Sequence, residues 1–131
     1  MLWAVLATVV FTGACGDPVP PTTPTPAVPT ISETFSDTLL VLGSNTHTFS
    51  VDGIGGLKVT LTSLEPSAAV LLGVGYPSFG SCTVVDRVEA VPGKNVQLSG
   101  TAMIRGLFCV SITDIGNLVE PAVYTINVLH S

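Results

Sequence analysis

The side chains best suited to acid–base chemistry in this sequence are two histidines and nine carboxylates. A catalytic triad needs a nucleophile beside a histidine that a carboxylate orients, and no nucleophile-elbow motif occurs in the sequence. Glycoside hydrolysis needs two carboxylates that flank a cleft. The acids that follow predicted strands sit at turns or strand ends, where carboxylates usually cap in solvent: Asp52, Glu65, Asp86, Asp114 and Glu120. We therefore expect a protein that is not an enzyme and has no catalytic residues, and a secreted hydrolase is the least favoured alternative.

The histidines themselves have structural explanations. His47 falls on the apolar side of a predicted strand, where it would lie at the rim of a core, and His130 is close to the last residue of the sequence. Neither position by itself points to a reaction.

Calcium is the metal that turn carboxylates and carbonyls would suit. Two pairs of residues are candidate calcium ligands: Asp114 with Asn117, and Asp86 with Glu89. No stretch has the density of acids found in calcium loops, so ordinary turn chemistry is the favoured interpretation. We expect no metal and no other cofactor.

The elements that must position these residues are strands. In the segment 106–113, Phe108, Val110 and Ile112 recur at a period of two, while Cys109 and Ser111 lie on the other face. This alternation predicts a central β-strand with one core face and one mixed face.

Further strands follow from the same pattern. Segment 33–41 reads as an edge strand, and 46–51 and 57–63 alternate around a glycine-rich turn, so we expect them to form a hairpin. The apolar run 68–74 predicts a strand buried within a sheet, followed by a loop over residues 76–81. Shorter strands are expected at 82–88 and 96–101, and a final strand carries Tyr124, Ile126 and Val128 on one face. The chain is therefore predicted to be all-β, an antiparallel sandwich or barrel of seven to eight strands.

Composition limits the partners. Only 10% of the residues are charged, and the net charge is -5. Binding to phosphates requires clustered cations, so we expect no nucleic-acid partner.

The first fourteen residues form an apolar run that ends in small residues, as a signal peptide does. This run is shorter than the roughly 20 residues that a membrane-spanning helix needs. Residues 12–15, Thr-Gly-Ala-Cys, resemble the lipobox of bacterial lipoproteins, although Thr12 stands where that family usually has leucine. The resemblance implies that Cys15 is lipidated. The alternative is a plain secretory signal cut after Ala14 or Gly16.

Residues 16–30 have a proline at nearly every second or third position. Such a segment favours an extended polyproline shape of about 3.1 Å per residue, roughly 45 Å in all. We interpret residues 15–30 as an anchor cysteine with a Pro/Thr-rich tether, and residues 31–131 as one folded domain.

The chain has three cysteines. If Cys15 carries lipid, Cys82 and Cys109 remain as a pair, and export permits a disulfide between them. Such a bond would stabilise the domain by about 3 kcal/mol in the chain-entropy treatment. Two buried thiols or a metal site are the alternatives, but no pair of histidines lies near to complete a zinc site.

Four short patterns together resemble the bacterial pre-peptidase C-terminal domain: 46–51, 56–61, 106–110 and 124–128. The resemblance spans about residues 35–130. It implies a jelly-roll-like β-sandwich that serves as an accessory module of exported proteins and that in some relatives binds collagen or polysaccharide. Residues 66–69, Pro-Ser-Ala-Ala, stand where many members have acids, and this weakens any inference of calcium.

Together these features predict an exported, membrane-anchored lipoprotein of the cell envelope, or alternatively a soluble secreted protein. Its expected role is non-catalytic binding of a polysaccharide or an extracellular protein, with Tyr76 and Phe79 as candidate ligand-binding residues, because aromatic platforms suit sugars and extended peptides. A structural or assembly subunit of an envelope complex is the alternative.

Overall fold

A computed structural model describes residues 31–131, which form two antiparallel four-stranded sheets. The strands are β1 (Ile31–Leu39), β2 (Ser44–Val51), β3 (Gly55–Glu65), β4 (Val70–Ser78), β5 (Ser81–Ala90), β6 (Leu98–Ala102), β7 (Gly106–Thr113) and β8 (Ala122–His130). The strand orders are β1-β8-β3-β6 and β2-β7-β4-β5. Strand β1 thus pairs with β8, β2 with β7, β3 with β6 and β4 with β5, which is the pairing of a jelly roll. The predicted antiparallel sandwich is confirmed, with eight strands.

The core lies between the two sheets and is built from period-two faces. Phe108, Val110 and Ile112 of β7 are buried on one side, and Tyr124 and Ile126 of β8 face them from the other sheet. The predicted core faces of both strands are confirmed. Strand β1 lies at a sheet edge and β4 lies inside its sheet, also as predicted.

The predicted hairpin between 46–51 and 57–63 is wrong. Strand β2 pairs with β7, whereas β3 pairs with β6 and β8 in the opposite sheet. Both segments bury their apolar faces in the same core, but from opposite sides. Alternation reports which face is buried and carries no information about which strand is the neighbour, so the glycine-rich segment between them is a crossover between sheets.

The predicted loop at residues 76–81 is also wrong, because β4 and β5 continue through it. Only Phe79 and Gly80 form the turn, with φ of 50° and 77°. Two-residue turns with positive φ match the twist of a hairpin. Pro77 is tolerated because β4 has left β7 by this point, since their pairing ends at Gly75 and Cys109.

A disulfide joins Cys82 to Cys109, as predicted. The two cysteines lie on β5 and β7, which flank β4, so an ordinary sheet would hold them about 9–10 Å apart. Their Cα atoms are only 5.8 Å apart. The start of β5 therefore leans across the outer face of β4 toward β7.

Gly75 makes this approach possible. A Cβ atom at this position would lie 1.8 Å from the carbonyl oxygen of Thr83. The ladder between β4 and β5 shifts register at the same place, between Val74 and Gly75. A glycine on β4 is thus what lets the β5 backbone cover Cys109, which is fully buried although it lies on the outer face.

Candidate functional site

The best candidate site is a cleft of about 210 Å³ between the two sheets, at the open side where edge strands β5 and β6 face each other. Its floor and walls come from both sheets: Leu57, Val74, Gly75, Tyr76, Val85, Asp86, Gly100, Thr101 and Phe108. Small-molecule pockets usually measure about 300–1,000 Å³. A cleft of this size is better suited to one ring of a longer ligand than to an entire small-molecule ligand.

Tyr76 forms the aromatic wall of the cleft. Its ring packs against Phe108, with ring centroids 5.0 Å apart and planes inclined by 41°. Tyr76 is 40% exposed, whereas Phe108 is buried. The buried ring thus supports the exposed one and limits its rotation, which reduces the entropy that a ligand would have to remove on binding.

Asp86 and Thr101 supply the polar groups of the cleft. Asp86 of β5 lies opposite Val74 of β4, and Thr101 of β6 lies opposite Gly56 of β3. A carboxylate accepts hydrogen bonds and a hydroxyl both donates and accepts them. The cleft therefore offers the aromatic ring of Tyr76, a carboxylate acceptor and a hydroxyl group. Such a combination suits a ligand ring that carries several hydroxyl groups, as a sugar does.

Sequence reasoning missed Asp86, Thr101 and Phe108 as residues of a site. Asp86 was interpreted as a solvated acid at a strand end, but it lies within β5. Phe108 was predicted as core, which it also is. No local pattern links these residues, because β5, β6 and β7 meet only through the pairing of distant strands.

Phe79, the other predicted contact residue, does not line this cleft. It lies at the tip of the β4–β5 hairpin and its side chain is fully exposed. The two aromatic residues therefore belong to different surfaces of the same hairpin.

His47 is half-buried at the opening between β1 and β2. Its ring stacks on Phe35 at 4.9 Å, and Nε2 lies 2.6 Å from the hydroxyl of Tyr124, which also accepts a hydrogen bond from Asn45. Burial lowers the pKa of His47 below its ordinary value, and the negative charge of Asp37 opposes this in part. Burial also raises the pKa of Tyr124. The contacts are those of a packed, neutral imidazole.

His130 is almost fully buried, although it is close to the end of the sequence. Its Nε2 lies 3.0 Å from a carboxylate oxygen of Glu33, and Nδ1 lies 3.0 Å from the main-chain oxygen of Ser131. The contact between His130 and Glu33 joins β8 to β1. Within residues 31–131, neither histidine is hydrogen-bonded to a serine, threonine or cysteine side chain.

Asp114 differs from its interpretation as a solvated cap, since it is only 4% exposed. Its carboxylate accepts a backbone hydrogen bond from Leu42 at 2.8 Å and three more from residues 116, 117 and 118. These hydrogen bonds lower the pKa of Asp114, and the bond from the Leu42 amide has the largest effect. The carboxylate holds the β7–β8 connection against the β1–β2 connection.

Neither pair of residues considered above as calcium ligands is brought together at one site. The Asn117 amide donates to the carbonyl of Ala69, while Asp114 is occupied by backbone donors. Asp86 and Glu89 lie opposite Val74 and Leu71, which point to different faces of the sheet. In the part of the chain that is described, no group of three or more potential ligands is placed to hold a metal.

A second concavity, of about 360 Å³, follows the β5–β6 connection from Val88 to Gln97. The Gln97 side chain is used within this connection: Oε1 accepts from the amide of Leu61 at 2.6 Å, and Nε2 donates to the carbonyl of Val91 at 2.7 Å. Its other polar side chains are those of Glu89, Lys94 and Asn95, and in contrast to the β5–β6 cleft its lining contains no aromatic ring.

Cys15 and the predicted signal peptide and tether, residues 1–30, lie outside the described residues. In residues 31–131 no helix is long and apolar enough to cross a membrane. The Cys82–Cys109 disulfide is consistent with an exported protein, because such bonds persist in oxidising compartments.

Comparison of the chain with known protein families and with curated proteins finds no match. What is established is the fold of residues 31–131: an all-β, jelly-roll sandwich with a disulfide between Cys82 and Cys109.

Proposed function

We propose that this protein is a non-catalytic binding module of the cell envelope that holds a polysaccharide in the cleft between β5 and β6. The observation that carries the proposal is the pairing of Tyr76, half-exposed and supported by buried Phe108, with the polar side chains of Asp86 and Thr101. The flat ring would contact the apolar face of a sugar, and the two polar groups would meet its hydroxyls.

A non-catalytic role agrees with how the titratable side chains are used. His47 is engaged with Tyr124, His130 with Glu33, and Asp114 with four backbone amides. Only Asp86 contributes a carboxylate to the cleft, whereas glycoside hydrolysis requires two. We therefore propose recognition without turnover.

The proposal places the module at the membrane through a lipid on Cys15. Residues 15–30 would then act as the tether, and the sandwich would stand away from the membrane or rest on it, depending on how far the tether extends. The resemblance to pre-peptidase C-terminal domains supports the same kind of role, an exported accessory module.

The test is to titrate the oxidised full chain against a panel of envelope polysaccharides, including peptidoglycan fragments, with and without calcium. For the glycan that binds, we expect Tyr76→Ala to reduce affinity by roughly thirty-fold, the cost of about 2 kcal/mol that removal of a central aromatic contact usually brings.

Phe79→Ala is the matched control, since it removes an aromatic ring from the same hairpin but outside the cleft. Its binding should stay near that of the native protein, and thermal melting should show both variants folded. Loss of binding in Phe79→Ala with full binding in Tyr76→Ala would place the site at the hairpin tip and reject the cleft.

A second candidate function is that of an assembly subunit. Strand β5 is a sheet edge of ten residues, and Val85 on it is 63% exposed. Such edges can accept a strand from another chain. The register shift beside Val74 interrupts the ladder and makes this edge a poor template. Copurification of a stoichiometric partner that is lost in a Val85→Pro variant would favour this function over glycan binding.

A further inference from the structure

Apolar side chains project from every connection at one end of the sandwich. This end, here called the entry end, contains the connections β2–β3, β4–β5 and β6–β7 and the first residue of β1. Ile54, Phe79, Met103, Ile104 and Leu107 are all between about half and fully exposed there. An exposed set of this kind indicates an interaction surface rather than scattered single residues.

Strand register brings these residues together. Ile54 directly precedes Gly55 and Met103 directly follows Ala102, and because Gly55 and Ala102 are paired, Ile54 and Met103 lie side by side. Strand β4 leaves β7 at Gly75 opposite Cys109, and its hairpin then runs on past Leu107. Phe79 therefore projects at the level of the β6–β7 connection.

The backbone of this end is held in place. Asp52 donates its amide to the Ser131 main-chain oxygen at 3.1 Å, and the Ser131 hydroxyl donates to the carbonyl of Gly53. The disulfide fixes the β4–β5 hairpin near its turn, through Cys82. The apolar tips are thus mounted on a constrained frame.

We propose that the entry end rests on a lipid bilayer, with Phe79, Met103 and Ile104 at the level of the headgroups and upper acyl chains. The inference does not depend on the glycan cleft. Two further observations indicate that the partner of the entry end is a lipid bilayer.

The first observation is where the rest of the sequence joins. The described structure begins at Ile31, which pairs with His130 at the entry end. The sequence attached there contains the apolar run 1–14 and Cys15. Membrane attachment through these residues would therefore tether the domain by this end rather than by the opposite one.

The second observation is charge. The opposite end also exposes apolar side chains, such as Leu42 and Val119, but its connections carry two acids, Asp114 and Glu120, and one base, Lys94. The connections of the entry end carry one acid, Asp52, and one base, Arg105. An anionic bilayer would repel the opposite end, while Arg105 can reach its phosphates as the apolar neighbours insert.

The test uses single tryptophan reporters in the full chain. Trp3 is the only tryptophan, so Trp3→Phe provides a silent background. Phe79→Trp then reports on the entry end, and Val119→Trp is the matched control at the opposite end. Each protein is mixed with vesicles of phosphatidylcholine and a minor fraction of phosphatidylglycerol, with and without brominated acyl chains.

We expect brominated lipids to quench the Phe79→Trp reporter at least several-fold more than the Val119→Trp reporter. Adding Arg105→Gln should weaken the vesicle partitioning of the domain about five-fold at low salt. Attachment through residues 1–15 would by itself hold the entry end nearer to the bilayer, but it would not depend on Arg105. The Arg105→Gln result therefore separates contact of the entry end with lipid from simple tethering, and unchanged partitioning of that variant would show tethering alone. Equal quenching of the two reporters, or quenching of neither, would overturn the proposal.

Discussion

At the scale of single residues, the polar groups inside this sandwich act as fasteners between distant strands. Asp114 gathers four amide donors from two connections, Glu33 reaches His130, and Tyr124 holds Asn45 and His47. In residues 31–131 no buried side-chain nitrogen or oxygen lacks a hydrogen-bond partner. Since an unpaired buried polar atom costs about 1–3 kcal/mol, each of these contacts also selects against misaligned strands.

His47 should make stability depend on pH. Burial holds its folded-state pKa below the ordinary value of 6.5, so the unfolded chain binds the proton more readily. Its contribution is complete above about pH 6.5 and is lost as the pH falls from there through the folded-state pKa. We expect the free energy of unfolding to decline between pH 7 and 5, as measured by urea denaturation.

His47→Gln is the control, because glutamine can still bond the Tyr124 hydroxyl but does not titrate. All other titratable groups are common to both proteins, so the difference between the two pH profiles isolates His47. Identical pH profiles for the two proteins would show that His47 does not carry this linkage.

At the scale of elements, the β4–β5 hairpin is the feature on which the most depends. It carries Tyr76 and Phe79, lines the cleft and delivers Cys82 to Cys109. Gly75 permits all of this, since its missing side chain leaves room for the Thr83 carbonyl. The hairpin is therefore positioned by close backbone packing at Gly75 as well as by the apolar burial of β4.

Gly75→Ala should destabilise the domain by about 2 kcal/mol or more, because the added methyl group meets backbone that cannot give way without moving β5. Gly100→Ala is the matched control: this glycine is also in a strand, but nothing lies within 4 Å of its added Cβ. Its stability should change by no more than about 0.5 kcal/mol.

Chemical denaturation of the two variants under oxidising conditions measures both effects. We also expect Gly75→Ala to form the Cys82–Cys109 bond more slowly on refolding. A Gly75→Ala protein as stable as Gly100→Ala would mean that β5 does not pass over this position.

At the scale of the whole molecule, the two surfaces proposed for binding lie at different places on the jelly roll. The cleft opens on the side, between edge strands β5 and β6, and the apolar entry end lies beside the strand at which residues 1–30 join. A domain that rested on its entry end would keep the cleft open to the surroundings. The proposed anchor and the proposed glycan site are therefore compatible.

Lipidation of Cys15 is tested by the intact mass of the protein isolated from membranes. We expect a chain that begins at Cys15 and carries the added mass of acyl groups, and a Cys15→Ala protein that lacks this increment and leaves the washed membrane fraction. A native protein cut after Ala14 or Gly16 with an unmodified mass would instead establish the plain secretory signal.

The sequence by itself determined the fold class, the core faces and the disulfide partners. Burial imposes a period of two on a strand, so the faces of β7 and β8 were readable from Phe108, Val110, Tyr124 and Ile126 alone. With Cys15 assigned elsewhere, Cys82 and Cys109 were the only remaining pair. These are properties that each segment carries locally.

Only the tertiary structure decided which strands are neighbours. The hairpin of 46–51 with 57–63 was a wrong prediction because the two strands bury similar faces from opposite sheets, and the pattern is the same in either case. The cleft was unpredictable for the same reason: Tyr76, Asp86 and Phe108 lie on β4, β5 and β7 of one sheet, whereas Thr101 lies on β6 of the other, and the two sheets meet only when they pack together. Periodicity records burial, whereas a site depends on adjacency, and adjacency is set by the whole chain at once.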